Sequence, residues 1–299
     1  MKFFSIIRES TLNFFGLTRI ISNVKNIAIV LLAFYLSNAE LDWPKLILGI
    51  VSMSFIFSSI YTYNNLEDSQ VDEQNSYKRH YSKAVKYFGE KIIFIMITLF
   101  VILGLIMGIF INIYFAGTLF ILLAVGFLYS SKHTRLKDKF ILDVLFGATF
   151  TYFFRFLAAW FVFSVSMPPL LPILALVFAK NGGYLLYKQA DKPFLLSLQV
   201  KNTITVMKKK TLIIFSIFSW IVVFLSFLLL CLNARYIHLK VLGYLPEKFL
   251  ILIPFAIPPL IVVYFYSFGR LKNNMRHLRI LGFIYWLLVI VIFGIYFYD

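Results

Sequence analysis

Long apolar runs separated by shorter polar segments dominate this sequence. A helix that crosses the hydrocarbon core of a bilayer needs about 20 mostly apolar residues. The runs that meet or approach this length are 25–39, 45–63, 91–113, 115–130, 139–165, 168–188, 211–232, 249–268 and 278–298. The pattern predicts an all-α, polytopic membrane bundle of about nine transmembrane helices, in one domain that covers residues 1–299.

The composition agrees with this pattern. Hydrophobic residues make up 61% of the 299 positions and charged residues 14%, whereas a soluble domain is about half apolar and a quarter charged. The single cysteine, Cys231, excludes an intrachain disulfide and a cysteine-based metal site. Residues 1–17 lack a sustained apolar core that ends in a small-residue cleavage site, so we expect no cleavable signal peptide.

The distribution of positive charge predicts an orientation. A net charge of +16 would by itself also suit a protein that binds nucleic acid. If the N-terminus is cytoplasmic, however, most of the 29 Lys and Arg residues fall on the cytoplasmic side, as the positive-inside rule requires. We therefore expect a multi-pass cell-membrane protein that binds no nucleic acid. Its N-terminus and its long polar loops, 64–90 and 189–210, would be cytoplasmic and its C-terminus would lie outside.

The first long loop carries oxygen-bearing side chains at every fourth position, namely Asn64, Asp68 and Asp72. If the second helix extends past the membrane, these side chains share one helical face at steps of about 6 Å. Carboxylates and substrate phosphates are the ligands that Mg²⁺ prefers. Lys78 and Arg79 follow shortly afterwards, and cations beside carboxylates suit a bound diphosphate. The alternative is a solvated helix end with incidental charge.

The stretch NNLEDSQVD resembles the NDxxDxxxD signature of the UbiA superfamily of intramembrane prenyltransferases. The resemblance implies a bundle of nine helices with catalytic loops on the cytoplasmic side. It also implies that Asn64, Asp68 and Asp72 are catalytic residues that bind Mg²⁺ and the donor diphosphate. The sequence departs from the signature at Asn65, where the family usually has Asp.

Further motifs resemble one branch of that superfamily, the decaprenyl-phosphate phosphoribosyltransferases. The residues that match this branch, and that it implies bind substrate, are Lys25, Asn26, Lys78, Arg79, Tyr129, Lys137, Arg155 and Lys180. The chain lacks the Trp that usually precedes the first Lys–Asn pair, and it reads KNGGY where the branch has K-R-x-x-E. The resemblance therefore leaves two donors open, a prenyl diphosphate and, as the alternative, phosphoribosyl diphosphate.

The second long loop contains a single carboxylate near the position of the superfamily's second Asp-rich motif. This residue, Asp191, would either hold a second Mg²⁺ or cap the turn before Pro193.

Two cations fall inside predicted spans. Because an Arg at membrane depth is costly, Arg155 should face the bundle interior and meet a phosphate group or a partner on another helix. Lys180 would contact a phosphate or extend its ammonium group to the interface.

Together these patterns predict a Mg²⁺-dependent transferase. The donor diphosphate would leave under stabilisation by Mg²⁺ and by Lys25, Lys78, Arg79, Lys137 and Lys180, and one substrate would carry an isoprenoid chain among membrane lipids. A transporter and a membrane scaffold are the other classes. A transporter would show Gly- or Pro-interrupted helices in paired halves, and a scaffold would not need the acidic stripe.

Overall fold

The computed structural model describes residues 2–76, 78–189, 191–244, 261, 265 and 275–295. Within these residues the chain is helical apart from short connections and an isolated parallel β-bridge between Lys139 and Lys201. The α-helices are α1 Lys2–Thr18, α2 Val24–Ser37, α3 Trp43–Gln74, α4 Arg79–Phe88, α5 Glu90–Ile111, α6 Ile113–Ser130, α7 Leu142–Val144, α8 Phe150–Phe161, α9 Leu170–Gln189, α10 Lys192–Ser197, α11 Thr203–Val206, α12 Lys209–Leu232 and α13 Met275–Ile295.

Shorter helical turns complete several of these elements. A 3₁₀ turn, Ile20–Asn23, leads into α2, and another, Leu136–Asp138, lies between α6 and α7. A π-helical turn, Leu145–Thr149, joins α7 to α8, and a second, Asn233–Ile237, continues α12.

In the part of the chain that is described, seven helical segments are long and apolar enough to cross a membrane. They are Ile20–Ser37, Trp43–Gln74, Glu90–Ile111, Ile113–Ser130, Leu142–Phe161, Leu170–Gln189 and Lys209–Ile237. These segments correspond to the first seven predicted spans, so the all-α membrane bundle is confirmed. The predicted eighth span, 249–268, lies outside the described residues except for Ile261 and Phe265. The ninth, 278–298, overlaps α13 over residues 278–295.

Helix α3 is the longest helix described, and its sequence explains both of its ends. The Asp42 side chain accepts a hydrogen bond from the Lys45 backbone N–H (3.0 Å), and Pro44 occupies the first turn, where it needs no hydrogen bond. The helix has 32 residues and is therefore about 48 Å long, whereas the hydrocarbon core is about 30 Å thick. Its polar C-terminal turns, which include Asp68 and Asp72, therefore project beyond the core.

Two neighbouring helices approach α3 closely at glycines. A Cβ atom added at Gly104 of α5 would lie 2.9 Å from Ile56, and one added at Gly126 of α6 would lie 2.6 Å from Ile60. The Ser52 hydroxyl also donates a 2.7 Å hydrogen bond to the Gly104 carbonyl. Small residues at such contacts let helix backbones pack tightly in a membrane, so α3 is held on two sides.

Two amphipathic helices, α1 and α4, were not predicted from hydropathy. They contact each other, and the hydroxyls of Ser10 and Tyr87 lie 2.6 Å apart. Helix α4 buries Ala84 and Val85 in a cluster with Leu17 of α1 while its charged side chains face outward. A helix of this kind suits the membrane interface. It escapes a hydropathy search because it is short and its average composition is polar.

Candidate active site

The acidic stripe lies on the projecting end of α3. Helix α3 continues beyond the predicted span 45–63 to Gln74 and carries all three predicted residues, as expected for a second helix that extends past the membrane. The Ser130 hydroxyl of α6 donates a 2.9 Å hydrogen bond to Asn64 Oδ1. The adjacent Asn65 is buried and donates a 2.8 Å hydrogen bond to the Leu17 carbonyl. The residue that departs from the signature therefore anchors α3 to the end of α1.

Asp68 is paired with cations from the connection between α6 and α7. Lys137 donates a hydrogen bond to Asp68 Oδ1, and the Arg135 Nη1 atom lies 3.8 Å from the same oxygen. Lys137 is buried, and that burial lowers its pKa, although the adjacent Asp68 carboxylate opposes the shift. Asp68 thus sits in a positively charged environment before any ligand is considered.

Asp72 is buried at 4% exposure, and no Lys or Arg among the described residues forms an ion pair with it. Lys78 instead pairs with Asp191, at 3.2 Å between Nζ and Oδ2. Asp191 precedes α10, but its side chain makes no hydrogen bond that caps this helix. Asp191 therefore pairs with Lys78 and does not cap the turn before Pro193, which was one of its two predicted roles.

A cavity joins these residues, and we name it the outer cavity. Its charged lining consists of Asp68, Asp72, Lys78, Arg135, Lys137, Asp138 and Lys188. Phe194, Leu195, Leu198, Val200 and Asn202, from the second long loop, form one wall. The two polar loops that were predicted to share the cytoplasmic face therefore meet at one site.

Hydrogen bonds hold the second long loop, 189–210, in place beside this cavity. The Thr203 hydroxyl and backbone N–H both donate to Asp143 Oδ1, the N–H at 3.3 Å. The Ile141 backbone N–H donates to the Thr203 hydroxyl at 2.8 Å, and Asn202 caps α11 by accepting from Thr205 N. Asp143 is fully buried, and its Oδ1 atom is the acceptor in both of the hydrogen bonds from Thr203.

The donor set of the outer cavity fits a partly hydrated Mg²⁺. No group of three or more His, Cys, Asp or Glu residues in metal-binding proximity occurs among the residues described. Mg²⁺, however, usually keeps several waters and binds through one or two carboxylates and substrate phosphates. Asp68 and Asp72 stand one helical turn apart and both line the cavity, so they supply such a pair.

A second group of cations, which we name the inner cluster, consists of Lys25 of α2, Arg155 of α8 and Lys180 of α9. These side chains do not line the outer cavity, and they lie close enough to one another for their like charges to repel. The Arg155 guanidinium lies 3.6 Å from the Phe57 ring centre and 5.0 Å from that of Tyr152. Lys180 Nζ lies 5.4 Å from the same Tyr152 ring. Arg155 is 1% exposed, so it faces the bundle interior as predicted.

The remaining predicted substrate-binding residues lie outside both groups. Arg79 is exposed at the start of α4 and donates to the Glu73 carbonyl at 3.3 Å. Asn26 is fully buried and donates to Asn23 at 3.4 Å. The Tyr129 hydroxyl lies 3.2 Å from that of Tyr184, and the Tyr129 ring packs against Gly147 of the π-helical turn.

Two cations of the outer cavity, Arg135 and Lys188, were not predicted as site residues. Each lies within three positions of a predicted one, Lys137 and Asp191 respectively. Neither has a spacing that distinguishes it from the other basic residues of the cytoplasmic loops, so only the tertiary contacts identify them.

Comparisons with known proteins agree with this architecture. A sequence model of the UbiA prenyltransferase family matches residues 26–245. A UbiA homologue from Archaeoglobus fulgidus bound to GPP and Mg²⁺ shares 18% identity with a TM-score of 0.68, covering 93% of this chain and 99% of that chain. The apo structure of a UbiA homologue from Aeropyrum pernix K1 shares 16% identity with a TM-score of 0.72, covering 91% and 95%. No match is found among curated protein sequences.

Proposed function

Because the chain belongs to the UbiA prenyltransferase family, a family of multi-pass membrane enzymes, we propose that it is a Mg²⁺-dependent intramembrane transferase. It would move a prenyl group from a prenyl diphosphate to an acceptor, and one of the two substrates would carry an isoprenoid chain. The family membership supports prenyl transfer in general.

One observation carries the proposal. Asp68 and Asp72 line a cavity whose other charged residues are mostly cations, and this cavity lies at the end of a membrane-spanning helix. A diphosphate carries several negative charges, so it is best held where carboxylate-bound metal and protein cations converge. A scaffold or a transporter has no need for this combination at one helix end.

The residues have distinct roles in the proposed reaction. Asp68 and Asp72 would hold Mg²⁺, with Asn64 beside them and Asp191 as a further candidate ligand; when bound, Mg²⁺ would neutralise the diphosphate and stabilise its departure. Lys78, Arg135, Lys137 and Lys188 would supply positive charge to the departing oxygens. The loop wall that contains Phe194 and Leu198 would limit water access, which matters because water would compete with the acceptor for the electron-deficient carbon.

Two donors remain to be distinguished. Solved UbiA homologues from Archaeoglobus fulgidus are bound to GPP or DMAPP together with Mg²⁺, which supports a prenyl diphosphate. The motif resemblance around Lys25, Lys137 and Arg155 supports phosphoribosyl diphosphate as the alternative. In either case we propose that the N-terminus and the outer cavity face the cytoplasm, where soluble donors are available.

The test uses membranes that contain the full-length protein, incubated with radiolabelled geranyl diphosphate or phosphoribosyl diphosphate. Label should enter the lipid fraction from the first donor only, and EDTA should abolish the transfer. The variants D68N and D72N, which keep side-chain size but remove charge, should each reduce transfer by about 100-fold or more.

Glu73 provides the matched control. It neighbours Asp72 but is exposed and pairs with Lys86 rather than facing the cavity, so E73Q should transfer label normally. Full transfer by D68N and D72N would refute the proposed metal site. Transfer of the phosphoribosyl label instead of the prenyl label would establish the alternative donor.

A further inference from the structure

A separate cavity lies between the end of α1 and the start of α4, and we name it the α1 cavity. It has a volume of about 250 Å³. Phe15 and Ile21, which line it, are 43% and 64% exposed. The α1 cavity therefore opens to the surface of the protein through an apolar rim. Its full lining consists of Phe15, Gly16, Arg19, Ile21, Ser22, His80 and Tyr81, none of which lines the outer cavity.

The α1 cavity lies at the boundary of the membrane. Arg19, which lines it, directly precedes the first membrane-spanning segment, Ile20–Ser37. Arg19 Nη2 also donates a hydrogen bond to Asn65 Oδ1 on α3, one residue beyond the first member of the acidic stripe. The α1 cavity is therefore on the same side of the membrane as the outer cavity, at the depth where lipid headgroups meet the hydrocarbon core.

The charged group of Arg19 is held in a fixed orientation without being neutralised. Its guanidinium carbon lies 4.1 Å from the Tyr81 ring centre and 5.4 Å from that of Tyr61. No ion pair joins Arg19 to a carboxylate of the described residues, and its buried Nε atom has no hydrogen-bond partner among them. An arginine oriented in this way suits a phosphate, because the planar guanidinium matches the geometry of phosphate oxygens.

Gly16 is explained neither by helix packing nor by its backbone conformation. It lies within α1, where glycine is less favourable than other residues. A Cβ atom added at Gly16 would meet no neighbouring atom within 4 Å, and its φ angle is not in the left-handed region. The space beside Gly16 belongs to the α1 cavity, and a larger side chain would fill it. An occupant of the cavity therefore gives a reason for glycine at this position.

We propose that the α1 cavity binds the headgroup of an anionic phospholipid. The phosphate would lie against Arg19 and His80, with the Ser22 hydroxyl as a further donor. The acyl chains would pass over Phe15 and Ile21 into the hydrocarbon. This site would exist whether or not the proposed transfer reaction occurs.

The lining of the α1 cavity favours an anionic lipid over other ligands that carry phosphate. The described lining contains no carboxylate that could meet the ammonium group of a zwitterionic headgroup. Basic residues at the membrane surface attract anionic lipids for the same electrostatic reason. The apolar rim favours a lipid over a soluble phosphate, because acyl chains bury apolar surface there.

The test measures lipid binding and requires no turnover. Full-length protein in a neutral detergent with EDTA is titrated with dihexanoyl phosphatidic acid and, in parallel, with dihexanoyl phosphatidylcholine and with inorganic phosphate. Calorimetry should show that phosphatidic acid binds about tenfold or more tightly than either comparison ligand, because only phosphatidic acid combines a net negative charge with acyl chains.

Variants of the lining should remove this preference. G16L places an isobutyl group in the cavity and R19Q removes the cation, so each should weaken phosphatidic acid binding by about tenfold or more. Gly117 of α6 provides the matched control, since a Cβ atom there also meets nothing within 4 Å and Gly117 does not line the cavity. G117L should bind phosphatidic acid as the parent chain does. The thermal midpoint of G16L should equal that of the parent or rise, because leucine favours a helix.

Other outcomes would overturn the assignment. Unchanged affinity in G16L or in R19Q would show that the lipid does not occupy the α1 cavity. Equally tight binding of phosphatidylcholine or of inorganic phosphate would refute the selectivity for an anionic lipid. Loss of binding in K180Q together with full binding in G16L would place the lipid phosphate in the inner cluster instead.

Discussion

The outer cavity and the inner cluster contain the same kinds of cation, but the side chains that surround those cations differ. In the outer cavity Lys137 pairs with Asp68, Arg135 pairs with Asp138 at 2.7 Å, and Lys78 pairs with Asp191. In the inner cluster Arg155 lies among aromatic rings with two unused nitrogens. The first group is electrostatically compensated by the protein itself, whereas no carboxylate of the described residues forms an ion pair with the second.

Because of this difference, we expect substitutions at the two sites to have opposite effects on the stability of the fold. Removing one member of a compensated pair leaves a partner with buried charge, so it should destabilise the fold. Removing a cation that has no partner relieves a cost, so it should preserve or raise stability while it impairs binding. Thermal unfolding and turnover, measured on the same variants, therefore separate the two cases.

The largest effect is expected for R155M. Methionine fills much of the space of the arginine stem and removes the uncompensated charge. Turnover should fall by about 100-fold or more, and the thermal midpoint in detergent should stay equal or rise. Phe57, which packs on the guanidinium, supplies a control: F57L should lower the midpoint because it removes apolar packing from the core. A marked fall in the midpoint of R155M would contradict the comparison.

A smaller effect is expected for K137M in the outer cavity. Asp68 would lose its main donor and, among the described residues, would keep the ion pair with the more distant Arg135. The free energy of unfolding should drop by about 1–3 kcal/mol. Mg²⁺ should restore part of this loss, because a divalent cation can replace the ammonium group beside Asp68.

The double variant D68N/K137M tests whether that effect arises from the pair. Its stability should exceed the value obtained by adding the losses of the two single variants, since the second change removes a charge that the first left uncompensated. It should also lose the rescue by Mg²⁺. Additive losses would show that Lys137 and Asp68 are not energetically coupled.

The smallest effect is expected for the loop that covers the outer cavity. T203V removes the hydroxyl that donates to Asp143 and accepts from the Ile141 N–H, at a cost of about 1–2 kcal/mol. Limited proteolysis should then cut the segment 189–210 faster. S197A changes an exposed serine of the same loop whose hydroxyl donates a hydrogen bond to the nearby Phe194 carbonyl, so its cleavage rate should match that of the parent chain.

The spans and the acidic stripe could be predicted because their signals are local. An apolar run of this length follows from the lipid that surrounds the segment. A four-residue spacing places Asn64, Asp68 and Asp72 on one face of any helix. The predicted fifth span, 139–165, illustrates the limit of this reasoning, since its helix begins only at Leu142. Hydropathy does not show that Lys139 bridges to Lys201 or that Ile141 is bound by Thr203.

The division of the cations into two groups could not be predicted. Lys25, Lys78 and Lys180 are equally plausible partners for one diphosphate when only their motifs are known. In the structure Lys78 lines the outer cavity, whereas Lys25 and Lys180 join Arg155. Such grouping depends on how α2, α8 and α9 pack, which is set by contacts between distant parts of the chain.

The length of α3 couples the outer cavity to the thickness of the bilayer. One continuous helix holds its apolar half in the hydrocarbon and carries Asp68 and Asp72 beyond it, while Gly104 and Gly126 fix its neighbours. A membrane that is thinner or thicker than the apolar segment imposes a tilt on a helix, and tilting this helix would displace the acidic pair relative to Lys137. We therefore expect transfer rates in reconstituted bilayers to peak at one acyl-chain length, a dependence that detergent micelles would conceal.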